Sequence, residues 1–210
     1  MDSISTHDHA ASLGASQDLI NTLVLSEDGL RDELATPHDA VVFLAERGVG
    51  HHEALGAQAE RDGPDRWLAR VREARGAMRE VWDATVEHRM PGGDALDTLN
   101  AILDRSPRIE LRAGLTGVAV AHRHPEQDPT GEALARVAMP LVEAIADHAT
   151  DRFRICSNDT CRWVFEDESR AGRRRWCDMS SCGNRAKVRR YRERRKGIGA
   201  EPDIGPPVRP

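Results

Sequence analysis

Cys156, Cys161, Cys177 and Cys182 are the only thiols in this 210-residue chain, and they fall within 27 residues. They form two pairs of equal spacing, C-x4-C, separated by 15 residues. Four thiolates arranged in two pairs can close a tetrahedral shell around Zn²⁺, and a closed shell is structural because it leaves no position for water or substrate. Four unrelated buried thiols and an iron–sulfur cluster are the competing readings, and the matched pairs favour zinc. The opening "MDSISTHDHA" has neither a basic stretch nor an apolar run, so no secretory signal is expected there. A cytoplasmic, reducing location is expected, where paired cysteines more often bind metal than each other.

The segment after the cysteines is basic. "GNRAKVRRYRERRK" reads as a helix with cations on most sides, and these repel one another unless an anion is near. Residues 1–150 hold 14 Arg against 26 Asp and Glu, a net of −12, whereas residues 151–196 hold 15 Arg and Lys against 7 acidic residues, a net of +8. An acidic body joined to a basic module points to an anionic partner for the module. Arg outnumbers Lys 28 to 2, a ratio that codon bias can produce, so arginine abundance alone says nothing of binding.

These residues need elements to hold them. "SQDLINTLVL" has helical spacing with Ser16 as candidate N-cap. In "TPHDAVVFLAERG", Thr36 caps, Pro37 takes the first helical position and Gly48 ends the helix. "HHEALGAQAERDG" is a weaker helix stopped by Gly63-Pro64. In the long run from Pro64, Trp67, Val71, Ala74, Met78, Val81, Trp82 and Thr85 recur every three or four residues and mark one buried face. "GDALDTLNAILDRS" is a further helix. "RIELRAG" and "TGVAVAHRH" alternate, with Ile109, Leu111, Val118 and Val120 on one side, as in a β-hairpin. "PTGEALARVAMPLVEAIADHAT" returns to helix, with Pro140 expected to kink or break it.

The fold class is therefore mainly α. A flexible stretch at 1–15 precedes a helical domain at 16–150 with a small β-hairpin. A small zinc finger follows at 151–196, and 197–210 is an expected disordered tail. Within the finger, Trp163 and Phe165 alternate before a turn at Arg170-Ala171-Gly172, with Trp176 on a return strand beside Cys177. That reads as a hairpin with three aromatic side chains inside, too small to fold without metal. Knuckle, hairpin, then a basic helix whose start supplies ligands is a treble-clef-like arrangement.

"FEDESRAGRRRWCDMSSCGNRAKVRRYRERR" closely resembles the CGNR zinc finger, named for the residues that stand here as Cys182, Gly183, Asn184 and Arg185. Asp167, Ser169, the Arg175–Cys177 triplet, Met179 and Lys187 agree with it. "DLINTL" is similar to the Asn-Thr motif in the first helix of the ABATE domain that accompanies this finger, and "WLARVREARGAMREVW" with "GGDALDTLNAIL" is similar to its central helices. The resemblance implies a stress-induced transcription regulator that binds nucleic acid through the finger.

The expected partner is double-stranded DNA, with Arg173, Arg174, Arg175, Arg185, Lys187, Arg189, Arg190 and Arg192 as candidate contacts to phosphate or base edges. Asn184 and Arg185 have a competing structural reading around the ligand loop. RNA binding is the alternative, with Tyr191 as the visible stacking platform. A protein-interaction module, including a homodimer or docking onto the acidic body, is the other. Asn21, polar in an apolar helix, is a candidate for lining an effector pocket or for pairing with a backbone group. His51-His52, His122/His124 and His7/His9 lack partners at diagnostic spacing. No Gly-rich phosphate loop, H-E-x-x-H or nucleophile elbow occurs, so an enzyme is not expected. No apolar run approaches the ~18 residues of a membrane helix, so no membrane partner is expected.

Overall fold

The structure is a computed structural model describing residues 13–26, 29–114, 117–123 and 127–198. The helical body runs α1 (Leu13–Asn21), β1 (Leu23–Ser26), β2 (Gly29–Asp32), α2 (Pro37–Glu46), α3 (His52–Asp62), α4 (Pro64–Val86), α5 (Gly93–Leu103), β3 (Arg108–Gly114), β4 (Gly117–Arg123) and α6 (Pro129–Ala146). The cysteine module follows with β5 (Phe153–Ile155), β6 (Val164–Glu166), a π-helical turn at Met179–Gly183 and α7 (Asn184–Ile198). Each strand pairs antiparallel with its neighbour in sequence, giving three separate two-stranded sheets among the described residues. The expected disorder of the tail and most of the expected flexible N-terminus fall outside the described residues; α7 continues to Ile198.

α4 is the axis of the body. Its Trp67, Val71, Ala74, Met78, Val81 and Trp82 are buried, while Thr85 is half-buried and returns its hydroxyl to the Val81 carbonyl. Helices α1, α2, α3, α5 and α6 pack around it. Thr36 caps α2 with a reciprocal capping box to Asp39. Gly48 and Gly63, at φ +67 and +89, follow α2 and α3 with the positive φ that glycine adopts without strain.

Three expectations change. Helix α1 starts at Leu13, and Ser16 is not its cap: it is buried in the helix and donates to the Val137 carbonyl of α6. The "TLVL" end is not helix but enters the β1–β2 hairpin, where Leu25 faces Leu30 and Gly29 at φ +117 supplies the turn geometry. α6 runs unbroken through Pro140. An interior proline costs about 3 kcal/mol, but Leu134, Val137, Ala138 and Leu141 bury one continuous face across it and hold the helix together.

The β3–β4 hairpin forms as expected, with Leu111 opposite Val120 and Ala113 opposite Val118. Its apolar side chains Leu111, Val118 and Val120 are exposed.

Candidate metal centre and nucleic-acid interface

The first cysteine pair sits in the connection between β5 and β6. Cys156 directly follows Ile155, and its amide donates to the Trp163 carbonyl. The amides of Cys161 and Arg162 both donate to the Asn158 carbonyl, closing a tight knuckle in which Arg162 adopts φ +58. The hairpin of the finger is thus β5 with β6, not the expected pairing of the Trp163–Phe165 segment with a return strand at Trp176. The return segment forms no strand; it is tied to the knuckle where the Ser157 amide donates to the Arg175 carbonyl at 2.8 Å. The expected three-aromatic interior is also corrected. Phe165 is buried and Trp176 half-buried, but Trp163 is 39% exposed.

Of the second pair, Cys177 precedes the π-helical turn and Cys182 lies within it. Asp178 caps that turn by accepting from the Ser181 amide at 2.7 Å, which places Cys182 inside it, next to the start of α7. Gly183 fits closely there: a Cβ would lie 2.9 Å from Met179 Sδ and 3.3 Å from Trp176 Cδ1, so a larger residue needs the Met179 side chain to move.

Cys156, Cys161 and Cys182 are buried and Cys177 half-buried, and the four Sγ atoms lie within 4.8 Å of one another. Cys161 and Cys177 are 3.6 Å apart and Cys177 and Cys182 3.7 Å apart. Tetrahedral Zn–S bonds of about 2.3 Å require sulfurs about 3.8 Å apart, and disulfides require about 2.05 Å. The cluster fits structural Zn²⁺. It is the one group of three or more His, Cys, Asp or Glu residues among the described residues placed to hold a metal.

The thiols are ill suited to remain as they are. Burial pushes Cys161 up to about 11. Burial also raises Cys177, and the charges of Cys156 and Cys161 add to that rise. Cys182 moves the other way, to about 7: burial opposes its ionisation, but the Asn158 amide and the neighbouring thiols donate to its sulfur. One thiolate forms readily, and a divalent cation would let the raised Cys161 and Cys177 thiols ionise beside it. Asn158, which the spacing alone does not single out, reaches Cys182 Sγ at 3.6 Å and also accepts from Thr160. Asn184, the residue in the family name, is exposed on the first turn of α7.

The candidate cations separate into two kinds. Arg174 is half-buried; it donates to the Cys177 carbonyl and lies 5.1 Å from the Phe165 ring centroid. Those contacts make it part of the finger's framework. Asp167, buried beneath it, accepts from the Arg174 and Ser169 amides. Burial works to raise this carboxyl, but these bonds and the nearby Arg154 guanidinium hold it below the ordinary range. Arg185 is exposed yet reaches back to Cys182 Sγ at 3.4 Å. Arg173, Arg175, Lys187, Arg189, Arg190 and Arg192 are exposed, Arg175 lying 5.4 Å over Trp176. Among the described residues α7 packs chiefly on the π-helical turn that precedes it.

Asn21 is committed to the finger. Its Nδ2 donates to the Val164 carbonyl and its Oδ1 accepts from the Val164 amide, both at 2.9 Å. A cleft of about 480 Å³ in the body is lined by Gln58, Arg70, Glu73, Thr98, Arg105 and Asp128, among others, and Asn21 is not on it. Of the histidines, His52 meets His38 edge to face, 6.2 Å between centroids, and the His122 backbone pairs with Ile109 in the β3–β4 hairpin. His7, His9 and His124 lie outside the described residues. Among the described residues no helix is long and apolar enough to cross a membrane.

Residues 152–195 match the family described as "CGNR zinc finger". Residues 14–148 match the family described as "ABATE: Putative stress-induced transcription regulator". No curated protein matches the chain.

Proposed function

We propose, for a chain that belongs to the ABATE family and carries a CGNR zinc finger, that it is a cytoplasmic transcription regulator which binds double-stranded DNA through α7. Cys156, Cys161, Cys177 and Cys182 hold a structural Zn²⁺, which fixes the start of α7 and supplies no chemistry of its own. The observation that carries this reading is the exposure of Arg185, Lys187, Arg189, Arg190, Arg192, Arg194 and Arg195 on one 15-residue helix. Such a helix gains most from a polyanion, because each phosphate contact releases condensed counterions. Arg173 and Arg175 on the preceding loop extend the cationic surface. The body, near residues 16–150, is the arm that senses or docks, and two copies would present two basic helices to a two-fold site.

The test is duplex binding by the zinc-loaded chain across a salt series. The expected result is log K falling with log salt at about −0.9 per phosphate contact, with a total slope of several units. No binding at low salt would remove the DNA reading.

A second reading, single-stranded nucleic acid, is favoured by one observation. Trp163 and Tyr191 are 39% and 57% exposed, and exposed aromatic rings beside arginines stack on unpaired bases. Competition between duplex, single-stranded DNA and RNA of one sequence separates the two.

A further inference from the structure

The strands that carry the first cysteine pair belong to two cores at once. On β6, Val164 enters the main core formed by the body, while the next residue, Phe165, faces the other way and packs with Cys156, Cys161 and Cys182. This is the alternation of a strand wedged between two layers. On β5, Phe153 is also in the body's core and stacks on Trp82 of α4, centroids 4.0 Å apart and planes 4° from parallel. Trp82 Nε1 donates to the Arg154 carbonyl at 3.2 Å.

Asn21 completes the attachment. Its carboxamide meets Val164 as a neighbouring strand would, one bond donated and one accepted. The next residue ties that point into the body. Thr22 Oγ1 donates to the Leu19 carbonyl and accepts from Arg75 Nη1, and Arg75 makes a two-bond pair with Asp32 of β2. Asn21 and Thr22 therefore link α1, α4, β2 and β6. Cys156 follows β5 directly and Cys161 precedes β6 by three residues.

We infer that the helical body is a working part of the metal centre: Asn21 and Trp82 hold the two strands between which Cys156 and Cys161 lie, so zinc retention depends on this dock and zinc loss destabilises the helices. Asn21 acts as a positioning residue for the ligand loop. The inference rests on the zinc reading and is independent of DNA binding.

The experiment uses the zinc-loaded full chain. Zinc release to a coloured chelator is timed at 25 °C, and the helical melting midpoint is read by circular dichroism before and after chelation. Asn21→Ala and Phe153→Leu are the dock variants. Leu99→Ala, in α5 and buried in the body, is a control that weakens the body away from the dock. The expected result is at least threefold faster release in both dock variants with helix content unchanged, wild-type release in the control, and a wild-type helical midpoint that falls by several degrees on chelation. Release less than threefold faster in either dock variant overturns the inference. So does equally fast release from the control, or a midpoint that chelation leaves in place. A wild-type chain that holds no zinc overturns the zinc reading and the coupling together, whereas zinc-loaded variants that behave as wild type overturn the coupling alone.

Discussion

Arg174 and Arg189 carry the same charge and are expected to fail in different ways. The Arg174 guanidinium serves the Cys177 carbonyl and covers Phe165, so Arg174→Ala leaves a carbonyl beside the metal ligands without its donor. A lost hydrogen bond to a charged group costs about 1.5–3 kcal/mol, and the expected outcome is weaker zinc retention in chelator competition with an unchanged salt slope for DNA. Arg189 is exposed on α7. Arg189→Ala is expected to leave zinc retention intact and to flatten the salt slope by about 0.9. The cysteines were legible in the sequence because metal ligation is written in spacing. Asn158 and Asp167 were not assigned their roles because both depend on where a loop returns. Asn158 finds Cys182 24 residues on, and Asp167 finds the Arg174 amide across a turn.

At the scale of elements, the start of α6 is tied down by one carboxylate. Asp128 caps the helix through the Gly131 amide, pairs with both Nη atoms of Arg70 and accepts from Gln58. Burial opposes its ionisation, yet Arg70, Gln58 and Gly131 hold it down at about 2. Because the folded pKa lies below the unfolded one, the contribution is complete above pH ~4 and is lost as pH falls from about 4 to 2. With discount for the partly exposed guanidinium it amounts to about 1–2 kcal/mol. Asp128→Asn keeps an acceptor for the cap and loses the charge opposite Arg70. It is expected to destabilise the chain by about 2 kcal/mol at pH 7 and to narrow its deficit to wild type as pH drops below 4, read from urea midpoints. Helices α2 to α6 were legible from their apolar periods, with Thr36 capping α2 as expected. The β1–β2 hairpin was missed since "TLVL" continues a helical apolar spacing. The finger's hairpin was misplaced since the partner of Val164 lies upstream of the first cysteine, where nothing local marks Phe153–Ile155 as a strand.

For the whole molecule, the shared core decides what either part can do alone. The sequence divides the chain by charge, −12 against +8, and that division suggests two modules touching through electrostatics. The contact is instead apolar and hydrogen-bonded: Phe153 and Val164 from the finger are 1% exposed within the body's core. Removing residues 1–150 therefore does more than unmask a basic surface. It leaves two large apolar side chains without cover in a module whose remaining core is Phe165, Trp176 and the four thiols. The converse deletion can be weighed. Burying one such side chain is worth about 1.5–3 kcal/mol, so a body ending at residue 150 gives up about 3–6 kcal/mol from Phe153 and Val164, before the bonds of Trp82 and Asn21 to the finger are counted. Domains of this kind hold only about 5–15 kcal/mol in total. The truncated body is expected to unfold at a markedly lower urea concentration than the full chain, with Trp82 emission shifted to the red before denaturant is added. A truncated body as stable as the full chain would mean that the two modules share a surface but not a core.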